Sequence, residues 1–234
     1  KDDETLLQLL DPEFRYSILP FTWAHAFFPH REREHFRKRV GRMARQPFKF
    51  LHKPDGQYFG NHLAKVHCYA RGRGGERYLL DRGHLARPSR SRGDHVRHQI
   101  VDNLVQASIE LGAQRAGVRF IGWRTILDHP NLPHLTRESE QPHNLKLAGG
   151  DYRPDGQPFV LSTPDRDCAF MRETDRATEQ QSHSETKGST IYRKLVLIRE
   201  LFETKAHRSH YGFLRTMVLF TTKSEGRRSE EHTS

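Results

Sequence analysis

The chain has 234 residues, which is enough for one large domain or two small ones with a sizeable core. Its 39 Lys and Arg residues outnumber 29 Asp and Glu residues, and the net charge of +10 predicts an acidic polymer as partner, with nucleic acid favoured over an anionic membrane surface. No apolar run approaches the roughly 18 residues that span a membrane, and no signal peptide opens the chain, so we expect a cytoplasmic protein without a membrane partner.

Three helices are predicted in the first third of the chain, and the third is strongly basic: residues 4–10, 19–28 and 31–46. In the third helix, Phe36, Val40 and Met43 share one face because they are four and three residues apart. The charged positions then face outward. Seven of these outward positions are Arg or Lys: Arg31, Arg33, Arg37, Lys38, Arg39, Arg42 and Arg45.

A hairpin is predicted after the third helix. Short extended segments lie at residues 48–51, 67–70 and 77–80, and the glycine-rich sequence 71–75 separates the last two. Helices followed by a hairpin with a basic tip are the order of a winged helix-turn-helix over residues 1–85, in which the third helix enters the major groove and the wing lies along the phosphates. A solvated charged helix beside an unrelated hairpin is the alternative. The predicted contacts with double-stranded DNA are Arg33, Arg37, Lys38, Arg42, Arg45, Arg71 and Arg73.

A second domain is predicted over residues 94–227, after a polar, basic linker at 86–93. Its first helix spans 95–111 and carries an apolar stripe that includes Ile100 and Ala107. A long loop is expected over 127–150, and the last strand, a run of apolar residues, is expected to be fully buried. The other predicted elements are strands at 118–123, 159–162, 169–173 and 217–222 and a helix at 189–204. The resulting order is αβββαβ, within an α+β protein.

Acidic residues flank two of these strands. Asp155 precedes one strand, and Glu173 and Asp175 lie at the end of the next. Because the ends of adjacent antiparallel strands meet, Asp155 and Glu173 are expected to lie together, and alternation places Glu173 and Asp175 on one side. Two or three converging carboxylates form a hard oxygen site for Mg²⁺ or Mn²⁺, which activates water and stabilises charge on a phosphodiester.

This order of elements and carboxylates resembles the PD-(D/E)XK nuclease superfamily, whose fold is that of restriction endonucleases. The resemblance implies metal ligation by Asp155, Glu173 and Asp175. Asp175 occupies the place of the superfamily lysine that positions or polarises water, so the expected substitute is Lys194, or less favourably Lys187. Three roles stay open: a Mg²⁺-dependent endonuclease or nickase, a domain with the fold but no activity, and a protein-interaction domain in which the acidic cluster pairs with Arg176.

The chain as a whole resembles the bacterial replication-relaxation family over residues 10–227. The resemblance is carried by YLLDRG at 78–83, the helix at 95–111, PDGQPFVL at 154–161 and ETDRATE at 173–179. It implies a DNA-binding protein that acts in the replication or relaxation of plasmids or other mobile elements. Replication proteins or a second copy of the chain are the further partners expected.

A rival resemblance lies in the sequence DRGHL at residues 81–85. It is similar to the DRGH motif of the ββα-metal nucleases, which implies His84 as general base and a later asparagine, here Asn103, as Mg²⁺ ligand. Asn103 lies on an amphipathic helix without the other polar residues of that family. The favoured interpretation is therefore the last strand of the predicted wing and its turn.

The ends of the chain do not resemble native termini. The first residue is Lys1, and residues 228–234 have the sequence RSEEHTS, which a common sequencing adapter encodes when it is translated in frame. We therefore expect residues 228–234 to carry no biological function and exclude them from the predicted domains.

Overall fold

The computed structural model describes residues 2–11, 15–45, 47, 49–54, 67–84, 96–139, 141–175 and 191–222. The chain divides into two compact units, Lys1–Ala116 and Gly117–Ser234. Helices and strands occur in both units, so the α+β class is confirmed. None of the described helices is long and apolar enough to cross a membrane. The predicted linker at 86–93 and the adapter-like residues 228–234 lie outside the described residues.

The first unit combines five helices of the described chain with a small sheet: α1 (Asp2–Leu9), β1 (Leu19–Pro20), α2 (Phe21–Ala26), α3 (Arg33–Met43), β2 (Leu51–His52), β3 (Cys68–Arg71), α4 (Arg73–Asp81) and α5 (Val96–Arg115). Strand β3 is central, with β1 and β2 antiparallel on either side. Phe36, Val40 and Met43 of α3 enter the core together with Leu6 and Leu10. The predicted apolar face of the basic helix is therefore confirmed.

The strand predicted at 77–80 and the hairpin tip predicted at 71–75 are wrong, because the chain forms helix α4 there. The glycines serve close packing of this helix on the chain before β2. A Cβ on Gly72 would lie 2.3 Å from the carbonyl oxygen of Lys49, and one on Gly75 would lie 2.4 Å from that of Phe50. The antiparallel partners are instead β2 and β3, which are joined by residues 53–67.

Helix α5, predicted to open the second domain, packs within the first unit. Its Asn103 side chain donates hydrogen bonds to Ser17 Oγ at 3.0 Å and to the Ile18 carbonyl oxygen at 2.9 Å. The Tyr16 hydroxyl donates to Oε2 of Glu110 at 2.6 Å. These buried polar contacts join the helix to the chain around β1, so the units divide after residue 116 rather than at the predicted linker.

The second unit contains β4 (Arg119–Ile121), α6 (Trp123–Leu127), α7 (His134–Arg137), β5 (Leu145–Leu147), β6 (Gly150–Tyr152), β7 (Gly156–Ser162), β8 (Asp167–Asp175), α8 (Ile191–Glu203), α9 (Ala206–Tyr211) and β9 (Thr216–Thr222). Its main sheet has the order β4-β7-β8-β9. The first two pairings are antiparallel, and β9 runs parallel to β8. Helix α8 belongs to the crossover that a parallel pair requires.

Two predictions for this unit are wrong. The loop expected over 127–150 contains α7 and the β5 strand, which pairs with β6 in a separate hairpin. Strand β9 was expected to be fully buried, yet it is the outer strand of the four-stranded sheet, and Met217 is 50% exposed. A short apolar run does not distinguish a central strand from an outer one, because both bury one face against helices.

Candidate functional site

Asp155, Glu173 and Lys194 meet in the second unit, and we call them the carboxylate–lysine cluster. Asp155 directly precedes β7, Glu173 lies near the end of β8, and Lys194 is in the first turn of α8. Lys194 Nζ lies 2.9 Å from Asp155 Oδ2 and 3.1 Å from Glu173 Oε2. The pairing of Gly156 with Arg172 brings the two carboxylates together, as the strand order predicted.

The fourth predicted residue, Asp175, belongs to β8 by its backbone, but its side chain lies outside the described part of the structure. Lys187 and Arg176 also lie outside it. The structure therefore brings together three of the predicted site residues, and among the described lysines Lys194 reaches both carboxylates.

Two further contacts orient the carboxylates. The backbone N–H of Thr174 donates to Asp155 Oδ2 at 3.0 Å, and the buried hydroxyl of Tyr152 donates to Glu173 Oε1 at 2.8 Å. Tyr152 was missed by the sequence analysis because it lies next to the stretch interpreted as a loop. The only available signal was its position three residues before Asp155.

The protonation states in the cluster differ between its two acids. Burial raises the pKa of Glu173 to about 8, assisted by the charge of Asp155 and opposed by Lys194. Burial also acts to raise the pKa of Asp155, but the Thr174 N–H and Lys194 outweigh it and hold that pKa below its ordinary value. At neutral pH the cluster therefore contains an ionised Asp155 and a Glu173 that retains its proton.

The donor chemistry of the cluster fits a hard divalent cation. Asp155 and Glu173 supply oxygen atoms, and Mg²⁺ binds proteins through one or two carboxylates while it keeps several waters. Within the described residues no group of three His, Cys, Asp or Glu side chains forms a metal site. Lys194 competes with a cation for the same oxygens, so binding requires a rearrangement of this pair.

A second candidate site is a groove of about 1300 Å³ in the first unit, lined by α3, β2, β3 and the start of α4. We call it the basic groove. Its acidic lining residues are Glu32, Glu34 and Glu76. Its Lys and Arg lining residues are Arg33, Arg37, Arg45, Lys49, Lys53, Arg71 and Arg73. The excess of cations gives the groove a positive potential, which favours phosphate.

The residues predicted to contact DNA differ in their exposure and in their ion pairing. Arg33, Arg45 and Arg73 are exposed along the groove. Arg37 also lines the groove, but it forms two hydrogen bonds with Glu34, at 2.7 and 2.6 Å. The prediction for Arg71 is wrong, because its side chain is 2% exposed and ion-paired with Asp11 at 3.3 Å, so it does not reach a phosphate.

Lys38 and Arg42 do not line the basic groove. They line a smaller cleft of about 340 Å³, beside Asp2 and Asp3 of α1. Asp3 is ion-paired with Arg39, and Asp2 with Arg31. The cations predicted to form one positive face are therefore divided between the basic groove and this cleft, where two acids of α1 offset part of the charge.

Lys49 and Lys53 were missed as groove cations. They flank the short strand β2, and the sequence analysis treated this segment only as a strand. Lys53 Nζ lies 5.6 Å from the centre of the Tyr69 ring, which orders its stem against β3. The signal available in the sequence was the spacing of two lysines on either side of an apolar pair of residues.

The rival nuclease motif is not assembled into a site. His84 Nε2 lies 2.6 Å from Glu4 Oε1, and Asn103 is buried, with its amide nitrogen bound to Ser17 and Ile18. A metal ligand at position 103 requires access to the cation, which this buried packing role does not provide. The proposed partnership of His84 and Asn103 is therefore wrong.

Comparison with protein-family models, with curated proteins and with solved structures finds no match for this chain. The resemblances to the replication-relaxation family and to the PD-(D/E)XK superfamily rest on the motifs quoted above and stay predictions. What the two sites can do is therefore argued from their own geometry and charge.

Proposed function

We propose that this protein binds double-stranded DNA through the basic groove. The observation that carries the proposal is the convergence of exposed cations from α3, β2 and α4 on one groove. Within the described residues, five of them form no ion pair: Arg33, Arg45, Lys49, Lys53 and Arg73. Such cations release counterions from DNA when they neutralise phosphates, which supplies much of the affinity.

The arrangement of the first unit supports a winged helix-turn-helix interpretation. Strand β1 precedes α2 and α3, and the pair β2–β3 follows, with β3 between the other two strands. In this interpretation α3 is the helix that enters the major groove. In this interpretation the antiparallel strands β2 and β3 are the wing strands, rather than the strands predicted on either side of residues 71–75.

The test compares two pairs of cations that lie on α3 or within two residues of its end. We expect Arg33→Ala combined with Arg45→Ala to weaken binding of a labelled duplex about tenfold or more at low salt, and to reduce the slope of log affinity against log salt by about 2. Lys38→Ala combined with Arg42→Ala is the matched control, and it should change affinity less than about threefold because these two cations lie outside the groove. Equal losses in the two variants would show that the groove is not the docking face.

A second candidate function is metal-dependent cleavage of a phosphodiester bond. It is favoured by one observation, the contact of Lys194 with both Asp155 and Glu173 at the ends of β7 and β8. The β4-β7-β8-β9 sheet with its parallel last strand supports the PD-(D/E)XK resemblance, with Lys194 in place of the strand lysine. A bound Mg²⁺ or Mn²⁺ would activate water and stabilise the charge of the transition state.

In this candidate reaction the chain supplies ligands and a fixed cation. Asp155 and Glu173 would hold the metal. Lys194 orients the attacking water or neutralises charge on the phosphate, in the manner of a lysine at a phosphoryl site. Both proposals agree with the role in plasmid replication or DNA relaxation that the replication-relaxation resemblance suggests.

Supercoiled plasmid incubated with Mg²⁺ or Mn²⁺ tests this second candidate. We expect nicking that is lost in Asp155→Ala and in Lys194→Met, and retained in Arg199→Met, which removes an exposed cation from the same helix. DNA binding with no nicking in the wild type would reject cleavage and leave the binding proposal in place.

A further inference from the structure

The turn of the β5–β6 hairpin is hydrogen-bonded to helix α8. Glu200 of α8 accepts hydrogen bonds from the backbone N–H groups of Ala148, at 2.6 Å, and Gly149, at 3.0 Å. A Cβ on Gly149 would lie 2.8 Å from Glu200 Oε2, so the absence of a side chain permits this approach. The position of the hairpin is therefore set by α8.

The same hairpin delivers Tyr152 to the carboxylate–lysine cluster. Tyr152 is 2% exposed and lies at the end of β6, where its hydroxyl donates to Glu173 Oε1 at 2.8 Å. The other oxygen of this carboxyl group, Oε2, lies 3.1 Å from Lys194 Nζ. Lys194 and Glu200 are both on α8, so one helix holds the cluster lysine and also the hairpin that carries the tyrosine.

The two oxygens of Glu173 thus have different partners. The terminal torsion of a glutamate is broad, so a carboxyl group that no hydrogen bond holds rotates readily. The Tyr152 hydroxyl holds Oε1, whereas Oε2 lies beside the Lys194 ammonium group but accepts no hydrogen bond from the described residues. A phenylalanine ring would fill the same buried space, so the hydroxyl is the part of Tyr152 that packing does not explain.

We propose that Tyr152 is a positioning residue, whose hydroxyl fixes the Glu173 carboxyl group so that Oε2 is presented to a divalent cation when Lys194 gives way to it. The inference rests on the second proposed function, because it requires that the carboxylate–lysine cluster bind a cation. It adds a residue from outside the four-stranded sheet and assigns the β5–β6 hairpin a role in that site. Groups that orient a metal ligand in this way typically change metal affinity by about 10- to 100-fold when they are removed.

The experiment compares two tyrosines that each lose one buried hydroxyl. Tyr211 is buried in the same unit, and its hydroxyl donates to the His143 carbonyl oxygen at 2.9 Å. We expect Tyr152→Phe and Tyr211→Phe to lower Tm to a similar extent. The dissociation constant for Mn²⁺, measured on the full chain from the EPR signal of the free ion, should rise about tenfold in Tyr152→Phe and stay within about twofold in Tyr211→Phe.

Asp155→Asn separates the inference from the function on which it rests. If the wild type binds Mn²⁺ and Asp155→Asn abolishes this, but Tyr152→Phe binds as tightly as the wild type or no more weakly than Tyr211→Phe, the positioning role is overturned and the cation site stands. If the wild type does not bind Mn²⁺, or if binding is unchanged in Asp155→Asn, both the cation site and the positioning role are overturned.

Discussion

In the first unit, cations of the basic groove are exposed to solvent. In the second unit, by contrast, one lysine is largely buried in contact with two acidic side chains. Arg33 and Arg45 are exposed, while the Lys194 and Glu173 side chains are only 15% and 2% exposed. Exposed charges act through their summed field, and each contributes little to folding. Enclosed charges depend on each partner, because a buried charge without compensation is costly. We therefore expect the exposed cations of the first unit to tolerate substitution with little loss of stability. The buried cluster of the second unit should depend on each of its side chains.

The comparison is open to direct test because each unit carries its own tryptophan. Trp23 lies in α2 of the first unit, and Trp123 lies in α6 of the second. Chemical unfolding followed by fluorescence in a Trp23→Phe background reports the second unit, and a Trp123→Phe background reports the first. The free energy of unfolding of each unit is then measured separately.

The largest expected effect comes from removing the enclosed cation. Lys194→Met leaves Asp155 without its charged partner, and we expect the free energy of unfolding of the second unit to fall by about 3 kcal/mol. Arg73→Met, which removes an exposed groove cation, should change that of the first unit by less than about 0.5 kcal/mol. The measurement is urea unfolding at pH 7, and similar losses for both variants would remove the distinction between the two regions.

The second effect depends on pH. The pKa of Glu173 is about 8 in the folded chain, against an ordinary value of 4.5, so the unfolded chain releases this proton first as the pH rises. The stability contributed by the protonated form is therefore fully present below about pH 4.5 and lost as the pH rises to about 8.

Glu173→Gln keeps the shape of the side chain but removes the group that titrates. Relative to the wild type, we expect this variant to gain roughly 2 to 3 kcal/mol in the second unit between pH 5 and pH 7. Unfolding curves of both proteins across that range provide the measurement. The lowered pKa of Asp155 acts only at lower pH, where its stabilisation is lost below about 3.8, so it does not affect this window. A difference between the two proteins that is constant from pH 5 to pH 7 would contradict the assigned protonation state.

The smallest expected loss of stability tests whether helix α5 belongs to the first unit. Asn103→Ala removes the two hydrogen bonds that α5 donates to Ser17 and Ile18, and it leaves a buried carbonyl oxygen without this donor. We expect a loss of about 1 to 2 kcal/mol, reported by Trp23 and not by Trp123. Destabilisation seen by Trp123 alone would instead assign α5 to the second unit.

Local patterns were sufficient to predict several features of the fold and site. The spacing of Phe36, Val40 and Met43 predicted the buried face of α3, because helical periodicity is a property of neighbouring residues. The meeting of Asp155 and Glu173 followed from the rule that adjacent antiparallel strands join their ends. The assignment of Lys194 required a family resemblance, and the structure brings its ammonium group to both acids.

The features that were missed depend on partners distant in sequence. Arg71 was predicted to contact DNA because its partner, Asp11, is 60 residues away in the sequence and cannot be recognised from local pattern. The glycines at 72 and 75 indicated a turn, since a glycine required for close packing and one required for a turn look the same in a sequence. Tyr152 reaches Glu173 from a hairpin whose strands are three residues each, too short to give a periodic signal.

The parallel pairing of β8 with β9 has a consequence for the order in which the second unit folds. Asp155 and Glu173 are joined by an antiparallel pair of strands that are close in sequence, whereas Lys194 arrives on the crossover helix before β9 closes the sheet. Contacts across long chain separations form late, because loop closure must precede them. During synthesis the strands that carry the two acids are therefore complete before the helix that carries their lysine leaves the ribosome.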